Sequence, residues 1–177
     1  MPEEIEVPTE HLHEKMEEEA EHGSKWVMRV AVSSALLAVA AAICALFAGG
    51  RANEAILKQM QATDQWAFYQ AKGIKASVTQ SRLETLEALG KAVTADEKAK
   101  IAKYEGEQKQ IEEEGHALED ESKVLMHSHE RLALAVTFFQ IAIAIGAIAV
   151  LAKLPPLWFA SLGVGAGGLY FMAVGLL

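Results

Sequence analysis

Residues 26–49 read WVMRVAVSSALLAVAAAICALFAG, twenty-four positions with one charge. A helix of about 20 apolar residues crosses the hydrocarbon core of a bilayer, so this stretch decides the fold. The one charge, Arg29, lies three residues inside the run, where its side chain snorkels to the headgroups. A cleaved leader does not fit: the preceding segment is acidic, the apolar run is too long, and no small-x-small site follows. Two further runs lie downstream. Residues 132–152, LALAVTFFQIAIAIGAIAVLA, are uncharged throughout, and residues 157–177, LWFASLGVGAGGLYFMAVGLL, form the third. Pro155 and Pro156 leave only a tight turn between these two, which predicts an antiparallel pair. Trp26 and Trp158 sit at span ends on one side, as interfacial anchors do. The expected fold is an all-α integral membrane protein with three transmembrane helices.

The 177 residues carry a net charge of −8, unevenly spread. Residues 1–25 hold nine Glu against Lys15 and Lys25, and residues 51–131 hold fifteen acids against twelve bases; elsewhere only Arg29 and Lys153 are charged. The short flanks place Lys15, Lys25, Arg29 and Lys153 on one side, and the segment between the first two spans is too long for its charges to count much. This predicts a cytoplasmic N-terminus with the middle segment and the C-terminus extracytoplasmic; Arg51 and Arg131 pull the other way. The lone cysteine, Cys44, sits in an apolar run and reads as a packing residue. An acidic chain without a basic patch argues against a nucleic-acid partner.

The middle segment, residues 50–131, predicts a coiled-coil-like helical hairpin. Residues 51–89 contain no Pro and one Gly, and are rich in strong helix formers. Gly90 suits the position just past a helix end. Thr94 with Glu97 is a capping box opening a second helix, which nothing interrupts before the second span. Tyr104, Ile111, Leu118, Leu125 and Leu132 recur every seven residues, alternating with Ile101, Gln108, Gly115, Ser122 and His129. That is the 3–4 repeat of a paired helix with one apolar row and one polar or small row. The apolar residues of the first helix, Ile56, Met60, Trp66, Ile74, Val78, Leu83, Leu86 and Leu89, are less regular and wander around the cylinder. Residues 51–93 are net +2 and 94–131 net −5, so the two arms attract.

DQWAFYQAK, residues 64–72, concentrates aromatic surface in this charged region. At about 100° per residue, Trp66 and Tyr69 lie near each other and Phe68 points away from Trp66. One partner helix covers one face only, so Trp66, Phe68 and Tyr69 read as contacts between copies of the chain. The alternative is an intrachain core against Tyr104 or Ile111.

EVPTEHLHE near the N-terminus, ANEA after the first span, DQWAFYQAK with IKAS behind it, and FFQIAIAI in the second span together resemble a bacterial inner-membrane protein family of unknown function. The resemblance covers essentially the whole chain. It implies three spans with a helical insert after the first, and supplies no activity, cofactor or catalytic residue. KLPPLW departs from the more basic turn expected before the last span.

Candidate sites are few. Residues 1–25 predict an acidic amphipathic helix with Leu12, Met16 and Ala20 on its stripe. His11 with Glu14, and Glu18 with His22, share faces, but His11 and His13 do not, and the spacing is not that of HExxH. His127 and His129 stand two apart, which suits a strand chelate and not a helix; on a seam, His129 copies would form a ring. His11, His22 and His129 are thus weak metal candidates beside the simpler reading of solvated or interfacial polar residues. Within the spans, Gln140 is the costliest group to bury and is expected to hydrogen-bond another span or, less simply, to line a pore. Gly163 and Gly167 form a GxxxG, expected to pack helices closely. No nucleophile–base pair, glycine loop or cofactor fingerprint appears. The chain reads as a homo-oligomeric structural protein without cofactor, with the bilayer and other copies as partners. The alternatives are a channel or small-solute pore, and an accessory subunit docked on another membrane protein.

Overall fold

The computed structural model describes the backbone from Glu10 and the side chains from Lys25. It contains three helices, α1 (Glu10–Ala88), α2 (Ala95–Leu151) and α3 (Pro155–Leu176), and no strand among the described residues. α1 carries the first apolar run and the first arm of the middle segment without a break; α2 carries the second arm and the second run.

The helix ends follow from local chemistry. Gly90, at φ +66°, ends α1 in the left-handed region that glycine enters freely. The amide of Lys91 then returns to the Leu86 carbonyl at 2.9 Å, satisfying an orphan acceptor of the last turn. At the start of α2 the Glu97 carboxylate accepts from the Thr94 amide at 3.4 Å and from its hydroxyl at 3.1 Å, so half of the expected capping box is made. α2 ends differently. Lys153 takes the left-handed position with φ 53°, and the amide of Leu154 reaches back to Ala149 at 3.0 Å. Leu154 is extended, as a residue before proline prefers, and Pro155 and Pro156 start α3 where no amide proton is missed.

The described chain divides into two compact units. The first holds residues 25–46 of α1, α2 from Arg131, and α3; the second is Phe47–Glu130. Each helix contains a stretch long and apolar enough to cross a membrane, and at most 28% of any such stretch is buried within the chain.

In the first unit, large side chains of α2 fill the gaps left by small residues of α3. Phe139 and Leu132 are fully buried. A Cβ on Gly168 would stand 2.7 Å from the Phe139 ring, and one on Gly175 would stand 2.9 Å from Leu132. Gly165 likewise admits Leu37 of α1. The buried Ser161 hydroxyl donates to the Ala142 carbonyl at 2.7 Å, and the Trp158 indole donates to Ser33 Oγ at 3.2 Å, so this expected interfacial anchor makes a bond within the chain.

One expectation needs correction here, and a second is not met among the described residues of one chain. Gly163 is exposed with nothing within 4 Å of a Cβ built on it. Gly167 meets only Phe138, so the packing face is Ser161, Gly165, Gly168 and Gly175, spaced by three, four and seven, and not the GxxxG. Gln140 is exposed and bonds to no other span within the chain, because its position falls on the side of α2 opposite Phe139 and Ala142.

Gly168→Val should therefore destabilise the protein by about 1–3 kcal/mol through overpacking, while Gly163→Ala should be neutral or slightly stabilising. Thermal unfolding of the two purified variants in one detergent checks the contrast.

Candidate functional site

The second unit is an antiparallel hairpin whose contact is built from small residues. On α1 the facing row is Ala48, Ala55, Ala62 and Tyr69, every seventh residue; on α2 it is His129, Ser122, Gly115 and Gln108. Ala55 and Ala62 are completely buried. Methyl-sized side chains let the backbones approach, and the polar row of α2 then reaches the α1 carbonyls. His129 Nδ1 donates to Ala48 O at 2.9 Å, Ser122 Oγ to Ala55 O at 2.8 Å, and Gln108 Nε2 to Tyr69 O at 3.1 Å. Each carbonyl has a second lone pair beyond its helical bond. Gly73 leaves the space: a Cβ there would stand 2.6 Å from the Gln108 amide nitrogen.

A second ladder runs beside the first. Lys58 pairs with Glu121 at 2.6 Å, Gln65 donates to Glu114 at 3.3 Å, and Lys72 pairs with Glu107. Arg82 meets Glu97 at 3.3 Å nearer the turn. The ion pairs among these run from bases of α1 to acids of α2, as the charge imbalance predicts. Lys98 with Glu87 runs the other way.

Trp66 fills the gap in the polar row. Its ring lies over Gly115, where a Cβ would stand 3.4 Å away. The indole donates to Glu119 Oε1 at 2.8 Å, and His116 Nδ1 lies 3.3 Å from Glu119 Oε2. Tyr69 and His116 meet the indole edge-on, at 5.7 and 5.0 Å between ring centres. The indole bond, and then His116, hold the Glu119 carboxyl below the ordinary glutamate range. Lys72 does the same for Glu107, and Thr94 for Glu97.

Of the three residues assigned to contact between copies, Trp66 is thus engaged within the chain against Gly115 and His116, and Tyr69 packs edge-on to Trp66. Only Phe68 points outward, 60% exposed. Ile101, Tyr104, Ile111, Leu118 and Leu125 all lie half-buried along the contact. Lys72 Nζ stands 5.6 Å from the Tyr104 ring centre. His129 spends one ring nitrogen on a carbonyl, and His127 lies 3.3 Å from Glu130. His11 and His22, with His13, Glu14 and Glu18, lie outside the described residues. Among the described residues no three His, Cys, Asp or Glu side chains are grouped to hold a metal ion. The roles of Glu119 and His116 escape a sequence reading. Their only signal is that they stand either side of the same turn as Leu118, opposite Trp66.

The model of a family described as a domain of unknown function (DUF4337) matches residues 26–177. The chain belongs to that family. No curated protein and no solved structure matches it.

Because the lowered carboxyls favour the folded state when charged, their contribution is complete above the ordinary glutamate value, about 4.3, and is lost as pH falls through the lowered values. In a protein with Trp66 as its sole tryptophan (Trp26→Phe, Trp158→Phe), the urea midpoint seen by fluorescence should be flat from pH 8 to 5 and fall below pH 4. Glu119→Gln should shallow that fall.

Proposed function

We propose that this member of the family is a three-span protein of the bacterial inner membrane, and that its hairpin and spans assemble copies of the chain into a structural scaffold. The spans are residues 26–49, 132–152 and 157–177, with the N-terminus cytoplasmic and the hairpin and C-terminus outside. The apolar exposure of all three helices supports the membrane reading, since lipid covers what the chain does not. Fixed bases at the ends of the first and third spans support the orientation.

One observation carries the assembly: the hairpin leaves Ile56, Leu57, Met60, Phe68, Ile74 and Val78 exposed, each by half or more. Apolar surface of that extent on a soluble arm marks a contact site. Gln140 adds to it. An amide in the hydrocarbon needs a partner, and with none among the described residues the partner comes from a neighbouring copy. The same exposure disfavours a pore, because only Thr137 accompanies Gln140 as a polar residue on the second span, and the Thr137 hydroxyl is spent on Ala133 at 3.0 Å. The role is structural, not catalytic.

Native mass spectrometry of the protein in nanodiscs should show more than one copy per particle. A monomer at every concentration would overturn the reading. Phe68→Ala should weaken the assembly and leave hairpin unfolding unchanged. Trp66→Ala should do the opposite, costing about 1–3 kcal/mol of hairpin stability for a half-buried aromatic.

A further inference from the structure

The exposed residues of α1 in the hairpin are not scattered. At about 100° per residue, Ile56, Met60, Thr63, Ala67, Ala71, Ile74 and Val78 fall on one stripe along the helix, spaced by three and four. All are exposed. Leu57 and Phe68 stand on one shoulder of the stripe, and the charges nearest it, Asp64 and Lys75, lie on that same shoulder. The stripe itself is uncharged across some 33 Å of helix. It is more apolar than the opposite face of α1, which meets α2 through Ala55, Lys58, Ala62, Gln65 and Lys72.

We infer that this stripe is the contact with a second copy, and that two α1 helices pair there in parallel and in register about a two-fold axis. The inference rests on the membrane reading above. Copies inserted in one bilayer share one orientation, so neighbouring α1 helices run parallel. A parallel two-fold contact sets each residue against its own counterpart, and any charge on the seam would face itself. The α1 stripe meets that condition. The outer face of α2, with Glu105, Glu113 and Lys109 exposed, does not. The spacing of three and four is that of a helix-pairing seam, and the small residues Thr63, Ala67 and Ala71 at its centre let the helices close on each other between the larger ends.

Single cysteines test the geometry in membranes carrying Cys44→Ala. Ala67→Cys and Ile74→Cys should each oxidise to disulfide-linked dimers when a copper–phenanthroline oxidant is added, and Glu113→Cys should not. An antiparallel contact would link Ala67→Cys, near the middle of the stripe, but not Ile74→Cys, and would overturn the proposal. Failure of both sites to cross-link in a protein that remains oligomeric by native mass spectrometry would also overturn it, while the scaffold reading stands. Failure of both with a monomeric mass would overturn the two together. As a second readout, Met60→Lys with Ile74→Lys sets like charges against each other and should reduce the oligomer at least tenfold at equal concentration. The far-ultraviolet helical signal should be unchanged.

Discussion

The distance between facing backbones governs this structure. A side chain reaches a carbonyl on a neighbouring helix only where nothing larger than a methyl group intervenes. Ala48, Ala55 and Ala62 create that condition in the hairpin, and Gly73 extends it to Gln108. The hairpin's polar bonds, its register and the seat of Trp66 over Gly115 all follow from it. In the three-helix unit the same constraint is met from the other side. Gly165, Gly168 and Gly175 take in Leu37, Phe139 and Leu132, so close approach is achieved with large residues on one helix and almost none on the next.

The contributions differ in kind. Exposed ion pairs such as Arg82–Glu97 are worth well under about 1 kcal/mol each. A side chain to carbonyl bond nets about 0.5–1.5 kcal/mol, but the cost of leaving the buried donor unpaired is larger. The polar row therefore acts mainly against alternatives. Sliding α2 by one heptad along α1 would move Gln108 away from Gly73 and set the Trp66 ring against Ser122 or Gln108 instead of Gly115. The charge ladder adds a preference of the same sense, because Lys58 and Lys72 would lose Glu121 and Glu107. Register is fixed by many small penalties, with no large apolar core to impose it.

This explains what the sequence discloses. The three apolar runs, the turn at Gly90, the cap at Thr94 and the heptad of α2 depend on local pattern, and each can be read from residue types alone. The facing row of α1 cannot. It consists of Ala48, Ala55, Ala62 and Tyr69 with Lys58, Gln65 and Lys72 beside them, while the large apolar residues Ile56, Met60, Ile74 and Val78 sit elsewhere, so a search for hydrophobic periodicity finds the wrong face. The acceptors of the polar ladder are backbone carbonyls, which have no signature in sequence. Gly163 and Gly167 fit a motif, yet the helix turns Gly165 and Gly168 inward, because the face is chosen by where Phe139 stands. Trp66 and Phe68 are two residues apart and so nearly opposite on the helix. Their different fates follow from that angle once one face is given to α2.

Between residues 48 and 78, α1 turns Ala48, Ala55 and Ala62 inward and leaves Ile56, Met60, Ile74 and Val78 exposed, which inverts the usual distribution, although Leu83 nearer the turn is buried. Such an arm is complete in register but not in burial. The two faces of α1 then answer different questions. The inner face, with its donors and charges, discriminates sharply and suits a contact that forms once, within the chain. The outer face is uncharged and tolerant of small displacement; its direction, on the proposed reading, is supplied by the bilayer that fixes both copies upright. Specificity that the stripe lacks in its own chemistry is thereby provided by orientation. A seam whose one polar side chain, Thr63, spends its hydroxyl on the Gln59 carbonyl is sufficient only where the neighbouring helix is already held parallel and at the same height, as the proposed reading of two copies in one membrane requires.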